Sequence, residues 1–406
     1  MTPAEFFSTA TRYMKKARYF RIPEKPADLE RLWKEAEPLD PGNWPSYLNS
    51  EDPNAFRYLG SATWRHPPTP GSDVYFAEID ELQAAGVIIV PDPEDKAVHR
   101  FYIKAPKDSW YNEAIWSIGV HTGETPFHLS APGSIQNPVL TRDHVSDVPA
   151  AFVADPFMIR VGNVWYMYFE IMNWRTQRGE IGLATSSSGL EWKYQKVVLS
   201  EPFHLSYPYV FRCENDIFMI PESYQAGGIR LYRAVDFPTH WSLLEVLLEG
   251  PVLVDPSVFL VDERWWMFVD TSPKLDHSAL RLFHADELGG PWLEHPMSPL
   301  FEGDSYRARP AGRVVEFNGR IIRFAQTCLP YYGTAIRAFE VDDLTLTTYR
   351  EREVEPSPIL GPSGAGWNAC GMHQIDAHLL DDGTWLACVD GWTGENVCNA
   401  LRASKS

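Results

Sequence analysis

DPFMIRVGNVWYMYFE, residues 155–170, reads as one strand, a tight turn and a second strand in sixteen residues. Apolar and β-branched residues flank Gly162-Asn163, a dipeptide suited to the positive φ angles of a two-residue hairpin turn. The same sixteen-residue pattern recurs without gaps as YPYVFRCENDIFMIPE (207–222) and DPSVFLVDERWWMFVD (255–270). A looser copy, RPAGRVVEFNGRIIRFAQ, covers 309–326, and HQIDAHLLDDGTWLACVDGW (373–392) supplies a fifth. Hairpins repeating every ~50 residues have the size of β-propeller blades, whose innermost strands surround one central funnel.

A second segment follows each of the first four hairpins: GEIGLATSSSGLEW (179–192), GGIRLYRAVDFPTHW (227–241), SALRLFHADELGGPW (278–292) and GTAIRAFEVDDL (333–344). These are outer strands of their blades. The fifth hairpin has no such partner after it, but EAIWSIGVHTGETPFHL (113–129) has the same character and precedes the first blade. The reading is an all-β fold, a five-bladed β-propeller over 111–406, closed by strands from 113–129. Its hairpins should turn near Gly162, Asn215, Asp262, Asn318 and Asp382. A β-sandwich with coincidental similarity between hairpins is the competing architecture.

Residues 1–110 lie outside the repeat and read as a mixed α/β extension. Helical spacing marks Glu5 to Tyr19, Pro26 to Ala36 and Glu78 to Ala85, and strands are expected at Val87–Val90 and His99–Lys104. This extension caps the propeller mouth, offers a surface for homo-oligomerisation, or wraps the barrel side without chemistry. A formal net charge of −18 argues against nucleic acid or an anionic membrane as partner. No apolar run is long enough to span a bilayer, and the first residues lack the apolar core of a signal peptide. The five scattered cysteines show no metal-type spacing and read as reduced thiols, which makes the expected location cytoplasmic.

The candidate chemistry lies at the ends of the hairpins. Counting outward from each turn places Asp155 opposite Glu170, Tyr207 opposite Glu222 and Asp255 opposite Asp270. Opposed carboxyls raise at least one pKa of the pair, as a proton donor requires. The plainer alternative makes each Asp-Pro a turn element whose carboxylate caps local N–H groups. Arg309, between Arg307 and Arg313, suits an anionic ligand group. In HQIDAH, strand alternation points His378 away from His373, so His373, Asp376 and His378 would not share one metal. No metal site or cofactor is assigned beyond a single divalent ion held through His373. His204 and Trp392 complete the set of candidate ligand-binding residues, aromatic faces being usual platforms for sugars.

ADPFMI, HLSYPYVF, IPES, RLYRA, DPSVF, RPAGR and HQIDAH together resemble the propeller domain found N-terminal to plant glucosamine inositolphosphorylceramide transferases. That domain in turn resembles the five-bladed propellers of glycoside hydrolase family 43. The resemblance implies an inverting mechanism with Asp155 as base and Asp255 as the residue that tunes and orients. It also implies a general-acid Glu where this chain has Arg309, so Glu222, or failing it Glu170, takes that role. The resulting expectation is cleavage of a glycosidic bond in a carbohydrate or glycoconjugate. The alternatives are a non-catalytic carbohydrate-binding propeller that serves a glycosyltransferase or polysaccharide pathway, and a transferase using the same funnel.

Overall fold

The computed structural model describes residues 115–394, apart from 174, 175, 177, 274 and 330, together with four strand backbones before them. Those four are β1 (Glu37–Pro38), β2 (Phe56–Thr63), β3 (Val87–Pro91) and β4 (Val98–Lys104), an antiparallel sheet in the order β1-β2-β4-β3. The expected strands at 87–90 and 99–104 fall within β3 and β4. The three expected helices lie outside the described residues.

The rest forms five four-stranded antiparallel sheets. Blade one contains β7 (Ala150–Val161), β8 (Val164–Asn173), β9 (Arg178–Ser186) and β10 (Lys193–Leu199). Blade two has β11 (Ser206–Cys213), β12 (Asp216–Glu222), β13 (Gly228–Asp236) and β14 (His240–Glu249). Blade three has β15 (Val254–Val261), β16 (Arg264–Asp270), β17 (Leu280–Ala285) and β18 (Leu293–Glu294). Blade four has β19 (Val315–Phe317), β20 (Arg320–Thr327), β21 (Ala335–Leu344) and β22 (Tyr349–Glu353). Blade five combines β23 (Ile375–Leu379) and β24 (Trp385–Thr393) with β5 (Ile115–Thr125) and β6 (His128–Ser130) from ahead of blade one. β5 runs antiparallel along β24, from Thr393 opposite Ile115 to Trp385 opposite Gly123. The five hairpins turn at the positions expected, and Gly162, Glu214, Asp262, Asn318 and Gly383 take positive φ there.

The long apolar runs make sense because these strands are covered on both faces, so both sets of alternate side chains must be apolar. On β8, Trp165, Met167, Phe169 and Ile171 pack toward blade five, while Tyr168 packs toward blade two. On β16, Trp265, Met267 and Val269 join the core shared with blade two. Trp266 and Phe268 join the one shared with blade four. The core is therefore a ring of layers between blades. Gly312 lets blades four and five meet backbone to backbone: its φ is 140°, and a Cβ there would stand 1.7 Å from the Ile375 carbonyl oxygen.

The counting of opposed residues needs one correction. Glu222 pairs with Ser206 rather than Tyr207, and Asp270 with Val254 rather than Asp255, because β11 and β15 each carry one extra residue near the start. The cause is the proline that follows. Pro208 and Pro256 have no N–H to give the ladder, so the strand bulges there, and Pro156 holds the same place in blade one. The preceding residue takes a left-handed conformation, with φ of 53°, 46° and 50° at Asp155, Tyr207 and Asp255. A second correction concerns cysteine: Cys213, Cys328 and Cys388 are free, but Cys370 is disulfide-bonded. Spacing along the chain does not reveal pairs that only the fold brings together. No helix among the described residues is long and apolar enough to cross a membrane.

Candidate functional site

The left-handed residues before these prolines bring the Asp155 and Asp255 carboxyls to one mouth of the funnel. The Asp155 N–H donates to Asp390 Oδ2 at 2.9 Å, and Asp155 Oδ2 accepts the Tyr207 N–H at 3.2 Å. Asp155 Oδ1 lies 3.6 Å from His373 Nε2. Behind that histidine, Asp390 Oδ1 accepts the N–H groups of His373 and Gln374, at 3.1 and 2.9 Å, and the His373 Nδ1–H at 2.8 Å. The ring is further held by stacking on Trp116, centroids 3.9 Å apart. His373 thus presents Nε2 to Asp155 in one fixed orientation.

Across the mouth, Arg309 donates Nε to Asp255 Oδ2 at 2.6 Å and Nη1 to His277 Nδ1 at 2.6 Å, with Tyr332 beneath its guanidinium. Gln326 adds a longer bond to Asp255 at 3.3 Å. Asp255 Oδ1 is buried with no partner among the described residues. Asp270 accepts from Ser272 and lies 3.5 Å from His277. Burial pushes Asp270 upward, but the adjacent His277 ring, the Arg309 charge and the Ser272 hydrogen bonds outweigh it, and the carboxyl stays below its ordinary range.

The blade one and two side differs in having carboxyls with histidines, His373 and His204, rather than an arginine beside them. Burial lifts Asp155 to about 7, with Asp390 and Asp255 adding to it and His373 and Arg309 opposing. Burial also lifts Glu222 to about 8, against the pull of the Tyr224 N–H on Oε1 at 2.6 Å and the Ser206 hydroxyl on Oε2 at 3.1 Å. Glu170 goes well above its usual value through burial and its neighbours Asp155 and Glu222. His204 stands beside both glutamates. The mouth is therefore split into an ion-paired half and a proton-holding half.

Three candidates lie elsewhere. Asp376 is bound deeper in the funnel to Arg313 Nε (2.6 Å), the Met158 N–H (2.5 Å) and His378 (2.8 Å), where it ties blades one, four and five together. The Tyr207 side chain turns down the funnel to Ser257 and Gly312, leaving only its N–H at the mouth. Trp392 is buried behind Trp116, its indole N–H on the Gly333 carbonyl. Arg309 is engaged by Asp255 and His277, which weakens the case for its selecting an anionic ligand. Asp390, His277, Tyr332 and Trp116 escaped the reading of the chain. Asp390 had a signal, since it closes the fifth hairpin copy just as Glu170, Glu222 and Asp270 close the first three.

For a cation, Asp155, His373 and Asp390 each offer one ligand atom, all within 4.8 Å of one another. Asp390 is already the orienting acceptor for the histidine and three N–H groups. The open donors are Asp155 Oδ1 and His373 Nε2, a partial set for a divalent ion.

The family model described as glucosamine inositolphosphorylceramide transferase 1, N-terminal, matches residues 109–392. The chain belongs to this family. The glucosamine inositolphosphorylceramide transferase 1 of Oryza sativa subsp. japonica is 35% identical over 299 residues, 69% of this chain and 40% of that protein. The protein of the same name from Arabidopsis thaliana is 34% identical over 305 residues, 69% of this chain and 39% of its own length. The chain thus spans about two-fifths of the relatives it matches. Among solved structures, a thermostable family-43 glycoside hydrolase superimposes with a TM-score of 0.44 at 12% identity, covering 60% of this chain and 89% of that one.

Proposed function

We propose that the funnel mouth performs acid–base chemistry at a glycosidic bond, with Asp155 as base and Glu222 as acid. The observation that carries this reading is the division of carboxyls by environment. Asp155 and Glu222 occupy one buried mouth, where burial raises them to about 7 and about 8. A base and an acid with pKa values close to the working pH are what proton transfer to and from a leaving oxygen needs. Asp255, fixed by Arg309, adds its negative charge to what raises the other two carboxyls. The same pair serves water as acceptor, giving hydrolysis, or an alcohol, giving transfer. The names of the relatives favour the second.

A binding-only propeller is the competing reading, and Arg309 favours it by standing where the family 43 resemblance calls for the acid. Purified protein assayed against aryl glycosides and oligosaccharides decides between them. Turnover lost in Asp155→Asn supports the enzyme. Oligosaccharide binding with no turnover on any substrate of the panel would leave the binding module.

A further inference from the structure

The two ring nitrogens of His204 face unequal surroundings. Nδ1 accepts the Gly179 N–H at 2.9 Å. That amide can only donate, so Nδ1 carries no proton and the neutral ring holds its hydrogen on Nε2. Burial first, and the Arg309 charge second, lower the ring to about 4, so it stays neutral in physiological conditions. The backbone is pinned as well: the His204 N–H donates to Gln225 Oε1 at 3.0 Å, and the Leu205 N–H to the Gly179 carbonyl at 3.0 Å. Gly179 must lack a side chain here, since a Cβ would fall 2.2 Å from the Leu205 oxygen and 2.9 Å from His204 Cε1.

So oriented, Nε2–H stands 3.6 Å from Glu170 Oε1 and 4.0 Å from Glu222 Oε2. Both distances exceed the roughly 2.7–3.2 Å of a direct N–H···O bond, and Nε2 has no other partner among the described residues. The His204 side chain keeps 19% of its surface exposed, whereas the two glutamates are almost closed off. At these separations no oxygen fits between the ring and either carboxyl, but the three atoms floor a shallow notch, open where His204 is exposed, on which one oxygen can rest about 2.8 Å from each.

We propose that this notch binds a single hydroxyl group of the sugar: His204 Nε2–H donates to its oxygen, and its O–H donates to Glu170 or Glu222. The proposal rests on the glycan reading of the mouth and adds a specificity determinant to it. A hydroxyl meets both demands because it donates and accepts at once. An ether or deoxy position meets at most one, and a metal ion would need a lone pair where the ring presents N–H.

The test combines histidine-selective ¹⁵N NMR with titration of D-glucose, D-glucosamine, N-acetylglucosamine and L-arabinose, followed by the deoxy analogues of whichever binds best. The wild-type His204 signals should report the Nε2–H tautomer through the neutral range and shift on sugar addition. His204→Phe should weaken binding ~10-fold, and His204→Gln, which restores a donor, should recover to within about 3-fold. One deoxy analogue should lose that factor with wild type but nothing further with His204→Phe. An Nδ1–H tautomer, a notch that keeps a bound water when sugar is added, or unchanged affinity in His204→Phe would overturn the proposal. If sugars bind wild type and His204→Phe alike while Asp155→Asn still abolishes turnover, the notch fails and the proposed function stands. If no sugar binds and none of the glycosides is turned over, both fall.

Discussion

Replacing Asp155 with asparagine should remove activity and raise stability together, and the stability gain should depend on pH. Burial moves this carboxyl from an ordinary 3.8 to about 7. An acid with a higher pKa in the folded chain binds more protons when folded, across the interval between the two values. Its stabilising contribution is complete below the unfolded value and is lost as pH rises through the folded one. On this account the wild-type protein loses ~1.4 kcal/mol for each pH unit between about 4 and about 7, or roughly 4 kcal/mol in all. Asparagine does not titrate, keeps an oxygen for the Tyr207 N–H, and tolerates a φ of 53° better than most residues. Urea unfolding of both proteins from about pH 5 to about pH 8 reads the effect. The variant should gain on the wild type steadily with pH and level off above about 7, while turnover falls on the order of 10²–10⁴. A stability difference that is constant over this range would refute the claim that the surroundings hold a proton on Asp155.

The wild-type rate should peak between about pH 7 and about pH 8, falling on the acid side as Asp155 is protonated and on the alkaline side as Glu222 loses its proton; a plateau reaching to about pH 5 would remove Asp155 as the base. Glu222→Gln should lose most activity on unactivated glycosides but retain part of it on aryl glycosides with good leaving groups. Equal losses on both would pass the role to Glu170. Arg309→Gln leaves the buried Asp255 without its cation, its Oδ2 held only by the longer Gln326 bond, and should cost about 3–5 kcal/mol, most of it recovered in an Asp255→Asn background. Chemical denaturation of the four proteins measures the coupling, and additive losses would mean that the ion pair does not matter.

Apolar runs broken by turn dipeptides and repeated in gapless copies made the blades, their turns and the displaced outer strand legible, because strand pairing leaves a regular trace in residue type. The register at the inner-strand starts was not legible by counting, although the prolines at 156, 208 and 256 were in view. A missing N–H permits a bulge without dictating one, and which residue turns left-handed is settled by neighbouring blades. Site residues that hold the repeat's opening or closing position could be found, Asp390 included had all five copies been aligned to their ends. His277 and Tyr332 come from loops, where no periodicity marks which side chain returns to the axis. Nor does residue type reveal commitment: Arg309 and Asp376 look alike as candidates until the partner of each is known. The Cys370 disulfide was invisible for the same reason.

Blade five joins strands made at opposite ends of synthesis, since β5 starts at Ile115 and β24 ends at Thr393. At roughly 5–20 residues per second, β5 waits tens of seconds for its partner, with the backbone edge that faces β24 unpaired meanwhile. The mouth is drawn from both sides of this seam: Trp116 on β5, Asp155 on β7, His373 and Asp390 on the late hairpin. A nascent propeller can therefore complete four sheets and still have no site, and the orientation of His373 becomes a late checkpoint of assembly. Any ligand that spans Asp155 and His373 would act as a clasp, slowing the reopening of the ring and protecting its last strand from proteases.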